Sequence, residues 1–188
     1  MPMTIIERAR PEDAAALLTH LNRVGGETDN LTFGKNEFPA SLEAEAAWLR
    51  ERARSETSAH FVAREDGRIV GEAGLDALPR RMAHRAELGI SVLRSHWGRG
   101  IGGRLLAAAV DFGRTHGIEM IELQVRSDNE RAIGLYRKFG FERIGVYPGF
   151  FKLAGRYVDF DLMLLDLRGG GPAQKDPAEP QPLPLRAE

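Results

Sequence analysis

Residues Trp97 to Arg104, Trp-Gly-Arg-Gly-Ile-Gly-Gly-Arg, put glycines at 98, 100, 102 and 103 where an apolar, strand-like run opens into an amphipathic helix. The first turn of a helix leaves backbone N–H groups without intrahelical acceptors, and glycine lets a bulky anion approach that bare backbone. This pattern predicts a cradle for a phosphate-bearing cofactor, its anionic group resting on the amides of Arg99, Gly100, Ile101, Gly102, Gly103 and Arg104. Charge-assisted hydrogen bonds to such amides contribute about 1.5–3 kcal/mol each, and the helix dipole roughly 0.3–1 kcal/mol more. The guanidinium groups of Arg99 and Arg104 either add charge to the cradle or sit solvated at the surface.

Two nucleotide motifs share this glycine content, and both fit poorly. Gly98-x-Gly100-x-x-Gly103 has the spacing of a dinucleotide loop, but Arg94-Ser95-His96-Trp97 separate it from its strand. A triphosphate loop needs Lys-Ser/Thr after its last glycine, where this chain has Arg104-Leu105. A tight strand-to-helix turn with no ligand is the remaining alternative.

The flanking elements follow from hydrophobic period and from turn residues. Thr4–Arg8 reads as a first strand, and Pro11-Glu12-Asp13 starts a helix through Leu17, Leu18 and Leu21. Residues 25–39 form a long polar loop, suited to substrate specificity, before Ser41 opens a second helix through Trp48 and Leu49, both expected in the core. Apolar runs at 60–63 and 68–71 flank Glu65-Asp66-Gly67, a hairpin signal. A strand over 86–93 reaches the glycine loop, and the next helix carries Ile101, Leu105, Ala108, Ala109 and Phe112 on one stripe until His116-Gly117. A strand over 119–126 leads to a helix that Asp128 or Asn129 can cap and Gly140 stops. Two last strands, 141–151 and 157–167, meet at Ala154-Gly155-Arg156.

Composition narrows the function class. The chain has 188 residues, 43% hydrophobic and 28% charged, which suits one soluble globular domain. Residues 1–168 are expected to fold; residues 169–188 begin Gly-Gly-Gly-Pro, hold five of the ten prolines and read as a flexible tail. A net charge of -1 gives no global attraction to nucleic acid or anionic lipid, so a small-molecule partner is favoured. Without cysteine there is no disulfide, thiolate ligand or thiol nucleophile, and His20, His60 and His116 lack metal-ligand spacing, so no metal is expected. With no signal peptide and no long apolar run, a cytoplasmic enzyme that does not bind membranes is the expectation.

The second half of the chain carries a second motif, Asn129-Glu-Arg-Ala-Ile-Gly-Leu-Tyr136-Arg-Lys-Phe-Gly-Phe141. With Gly100-Ile101-Gly102 ahead of it, the sequence resembles the GNAT superfamily of N-acetyltransferases over roughly residues 3 to 167, most strongly from 86 to 142. Trp97 stands where that family more often has Gln or Arg, which leaves the backbone amides intact. The resemblance implies an α/β (α+β) fold, a mixed, mostly antiparallel central sheet of about seven strands flanked by about four helices. It also implies acetyl-CoA as co-substrate, with main-chain groups of Val92 and Leu93 on the pantetheine arm and Asn129 hydrogen-bonding it from the other side. Asn129 has a second reading as a helix N-cap.

For the chemistry, an amine of ordinary pKa near 10.4 must shed a proton before it attacks a thioester. Glu87 lies on the strand that approaches the cofactor, where relatives often carry a base; Glu72, His84 or a water chain are the other candidates, and Glu87 could equally be a strand residue with no chemistry. Tyr136 stands where relatives place a tyrosine against the cofactor sulfur, as the acid for the leaving thiolate, or else it is a core aromatic. Phe150 and Phe151 line an acceptor pocket or form an ordinary cluster. The function expected is transfer of acetyl to a primary amine of a small molecule, an amino acid, polyamine or drug-like amine, in a ternary complex. The alternatives are a protein N-terminal or lysine acceptor, and a non-catalytic acyl-CoA sensor. A homodimer is compatible with the resemblance.

Overall fold

The computed structural model describes residues 3–169; the tail expected over 169–188 lies outside the described residues save for its first position. The strands are β1 Ile5–Arg8, β2 Ala59–Glu65, β3 Arg68–Ala77, β4 Arg85–Val92, β5 Met120–Arg126, β6 Glu142–Leu153 and β7 Arg156–Asp166. The helices are α1 Ala14–Gly25, α2 Leu42–Arg54, α3 Ile101–Thr115 and α4 Glu130–Lys138. All seven strands join one sheet in the order β1-β2-β3-β4-β5-β7-β6, antiparallel throughout except between β4 and β5.

Alternation along β2 shows how both faces of that sheet are covered. Successive strand residues point to opposite faces. Val62 packs with Leu17 and Leu21 of α1 and Leu49 of α2, whereas Phe61 and Ala63 join Leu105, Leu106, Ala109 and Phe112 of α3. Ile133 and Tyr136 of α4 belong to the second cluster. Helices α1 and α2 therefore cover one face, and α3 and α4 the other.

Asp66 (φ 47°) and Gly67 (φ 76°) are both left-handed, as a two-residue hairpin of primed type requires, and Ala154 (φ 46°) with Gly155 (φ 80°) repeats the device between β6 and β7. Strand β3 runs to Ala77, well past the apolar run that signals it. Glu72, Gly74 and Asp76 break its hydrophobic pattern, yet the backbone pairs on both sides as far as Ala59↔Leu75 and Ala77↔Ala86.

The feature that positions a site is the end of pairing between β4 and β5. Only Arg85↔Met120, Ala86↔Ile121 and Glu87↔Glu122 are in register, and the Arg85 guanidinium grips Glu122 across that junction. Beyond it, β4 follows β3 to Gly71↔Val92 while β5 follows β7 to Arg126↔Phe160. The two halves of the sheet part like a V, and buried strand edges left this way need hydrogen-bond partners from elsewhere.

Candidate active site

Ladder hydrogen bonds fix what β4 presents to the opening. Leu93 N–H donates to the Val70 carbonyl at 2.9 Å, and Leu78 N–H to the Arg85 carbonyl at 2.9 Å. In an antiparallel pair, bonded positions recur every second residue, so the odd-numbered residues of β4 are spent on β3. The main-chain groups of Leu88, Ile90 and Val92 face the gap instead. This corrects the expectation for Leu93, whose carbonyl is also taken, by His96 N–H at 2.9 Å. Val92 retains its N–H, its carbonyl accepting the Trp97 indole N–H at 2.7 Å.

The glycine loop forms the adjoining wall. Gly100 caps α3 with φ 76°, a conformation costly to any residue with a Cβ. Among the described residues, no acceptor engages the amides of Gly98, Arg99, Gly100, Ile101, Gly102 or Gly103. Arg104 differs from the expectation, because its N–H donates to the Gly100 carbonyl at 3.1 Å and so begins the intrahelical series. Both arginine side chains also turn away from the cavity. Arg99 grips Glu65 at 2.5 and 3.1 Å, and Arg104 lines a separate shallow depression beside Thr4 and Ile6. Arg131 on α4 does reach the loop, over the Trp97 ring at 4.6 Å, with Arg94 at 5.8 Å from the same ring. Sequence reasoning passed over Arg131; the available signal was its position on the helix facing the glycines. The space before the loop is clear, since a Cβ at Gly98 or Gly100 would meet nothing and one at Gly102 only Leu135 and Val92 at 3.4 and 3.9 Å.

These walls enclose a cavity of about 1360 Å³ that continues through the V. Asn129 combines its two candidate readings: Oδ1 caps α4 by accepting from Ala132 N–H at 3.2 Å, and the residue lines the cavity with Nδ2 to spare. Tyr136 is 7% exposed and reaches the cavity while packing against Phe141. Burial first, and the Glu72 carboxylate second, raise its hydroxyl pKa, so it holds its proton at neutral pH.

A buried polar chain borders the same cavity. The Ser91 hydroxyl donates to Glu72 Oε1 at 2.6 Å, and its oxygen faces His20 Nε2 at 2.9 Å. His60 Nε2 lies 3.4 Å from Glu72 Oε2. Desolvation pushes the Glu72 pKa up to about 7, against the opposing pull of the Ser91 hydrogen bond, and the same burial lowers His20 to about 4 and His60 to about 3. Both histidines are thus neutral beside a carboxyl that titrates near neutrality. Glu87 also lines the cavity, but it is exposed and has no hydrogen-bond partner to fix its side chain. His84 has its carbonyl bound by the amides of Glu119 and Met120 and does not line the cavity.

Aromatic side chains close the remainder. Trp48, expected in the core, packs half-buried against it and also forms a cavity wall set edge-on to His60 at 5.0 Å, while Leu49 is fully buried. Phe33 and Phe38 from the long loop line the same wall, and Phe150 and Phe151 stack near Phe160 at the β6–β7 side. No group of three or more His, Asp or Glu among the described residues is arranged to hold a metal ion.

The profile of the Acetyltransferase (GNAT) family matches residues 27–141, more than half of the chain. The chain belongs to the GNAT family. Like other members it is an acetyltransferase, with acetyl-CoA as donor. It is 39% identical over 112 residues to the N-alpha-acetyltransferase RimI of Mycobacterium tuberculosis, covering 58% of this chain and 68% of that one. It is 29% identical over 164 residues to the L-methionine sulfoximine/L-methionine sulfone acetyltransferase of Pseudomonas paraeruginosa, covering 86% and 94%. An uncharacterised Mycobacterium leprae protein is 41% identical over 123 residues, but the match spans only 32% of that longer chain. Among solved structures, a GNAT acetyltransferase from Streptococcus pneumoniae superposes with a TM-score of 0.85 at 29% identity, covering 87% of this chain and 99% of that one. No helix among the described residues is long and apolar enough to cross a membrane.

Proposed function

We propose that this enzyme transfers acetyl to the primary amine of a small molecule, with Glu72 as general base and Tyr136 as general acid. The observation that carries the reading is that Glu72 and Tyr136 line one cavity, near enough for the carboxylate to act on the phenol, next to backbone amides left without protein acceptors among the described residues. The free amides of Gly98 to Gly103 would hold the pyrophosphate of acetyl-CoA, and the unpaired edges of β4 and β5, with Asn129 Nδ2, the pantetheine arm. When bound, that co-substrate supplies the acetyl thioester. Glu72 accepts the proton that the acceptor ammonium must shed; as its nitrogen bonds the acetyl carbon the carbon–sulfur bond breaks, and Tyr136 returns a proton to the sulfur. The Ser91 hydroxyl holds the Glu72 carboxyl in place, with the neutral His60 ring beside it, and its pKa near 7 balances basicity against being deprotonated. Glu87 stands at the exposed side of the same cavity, where it serves as an entry charge for a cation.

The identity to RimI favours a second reading, in which the amine is a protein N-terminus. Free thiol released from acetyl-CoA by a panel of small amines and by short peptides separates the two. Turnover with small amines at kcat/KM above that of any peptide supports the first; turnover with peptides alone overturns it.

A further inference from the structure

Charge is divided unevenly within the cavity. Its lining arginines and lysine, Arg126, Arg131 and Lys138, all come from β5 and α4, and Arg126 is paired with Asp128 and reaches the Asp29 carbonyl. Helix α2 and strands β3 and β4 contribute Glu45, Glu72, Asp76 and Glu87, with no Lys or Arg among the lining residues of those elements. Asp76 is neutralised by Arg52 at 2.5 Å, and Glu72 is bonded to Ser91. Glu45 has neither kind of partner. It lies on the cavity-facing side of α2 one turn before Trp48, is only 5% exposed, and makes no side-chain hydrogen bond or ion pair among the described residues.

Desolvation raises the Glu45 pKa while its oxygens stay open to the cavity, so a cation that enters there is favoured. Among the described residues no such cation meets it, so the group it fits arrives with the substrate. We propose that the acceptor is a diamine-type molecule: one nitrogen is presented to Glu72 for acetylation and a second, still an ammonium, is held by Glu45. An acceptor bearing a carboxylate near its amine, as a free amino acid does, would meet like charge on this wall and no lining Lys or Arg. The inference rests on the N-acetyltransferase reading and narrows its substrate class.

Three acceptors of matched length test it: putrescine, pentylamine and 5-aminovalerate, which end in an ammonium, a methyl group and a carboxylate respectively. The expected order of kcat/KM is putrescine first, by about tenfold or more over pentylamine, with aminovalerate last. In Glu45→Gln the putrescine-to-pentylamine ratio falls to about one, and Glu45→Asp restores part of it. Calorimetry of putrescine against the protein saturated with CoA supplies a readout independent of turnover, with binding weakened about tenfold in Glu45→Gln. Equal use of putrescine and pentylamine, a preference for aminovalerate, or a ratio unmoved by Glu45→Gln overturns the diamine assignment while leaving the acetyltransferase reading intact. Glu45-dependent putrescine binding without turnover of any amine supports the subsite and overturns the small-amine reading. Absence of both overturns both.

Discussion

Glu72 illustrates how a side chain acquires chemistry from its surroundings. An exposed glutamate on an edge strand is a weak base near pH 7; burial between Ser91 and His60 lifts this one to about 7. With the deprotonated form of Glu72 as the proposed base, kcat/KM should rise with pH through about 7 and level off above it. Glu72→Gln should lower kcat by about 10²–10⁴-fold and remove that rise. In Ser91→Ala the carboxylate loses a donor that stabilises its charged form, so the same rise should move to higher pH, as pH–rate profiles of the two proteins will show. Tyr136→Phe keeps the packing against Phe141 and loses the proton, so kcat should fall with little change in melting temperature. A variant that melts early but turns over normally when folded would return Tyr136 to a core role. Glu87 illustrates the converse: its strand position suggested a base, but the side chain is exposed and without a partner among the described residues, which is why Glu72 is the base we propose.

Among the elements, the α3 N-terminus and the β4–β5 opening act as one device. Gly102→Val would project methyl groups into the space before the free amides, where its Cβ already meets Leu135 at 3.4 Å. It should weaken acetyl-CoA binding by about tenfold or more, the loss of at least one charge-assisted hydrogen bond, measured by calorimetry. Asn129→Ala removes the α4 cap and should cost about 1 kcal/mol of stability, read from denaturant midpoints. If Nδ2 also holds the pantetheine arm, affinity for acetyl-CoA falls while affinity for the adenosine diphosphate portion alone does not. The elements themselves were largely legible, because Asp66-Gly67, Gly100, Asn129 and Gly140 punctuate the chain with residues whose backbone preferences are local. The far end of β3 was not, because Glu72, Gly74 and Asp76 are strand residues only by virtue of neighbours on both sides.

At the scale of the whole molecule, one buried cluster holds groups that titrate in opposite senses. His20 and His60 have folded pKa values of about 4 and 3 against an ordinary 6.5, so the unfolded chain binds the extra protons and their contribution to stability is lost as pH falls below 6.5. Glu72 runs the other way: its pKa of about 7 lies above the ordinary 4.5, and its contribution is lost as pH rises between those values. Two groups oppose one between pH 6.5 and 4.5, so the melting temperature should fall on acidification through that window. Glu72→Gln removes the compensating group and should make the fall steeper; a shallower fall would contradict the neutral assignment of the histidines.

The sequence by itself determined the order of elements, the glycine loop ahead of α3 and the motif from Asn129 to Phe141, since each depends on backbone preferences or periodicities spanning a few residues. Only the tertiary structure decided which groups meet: that Leu93 is spent on β3, that Arg99 and Arg104 turn away, that Arg131 covers Trp97, and that Glu45 lies buried without a partner beside the acceptor space. Those outcomes depend on strand register and on desolvation. Both are set by contacts between segments tens of residues apart, to which local spacing is blind.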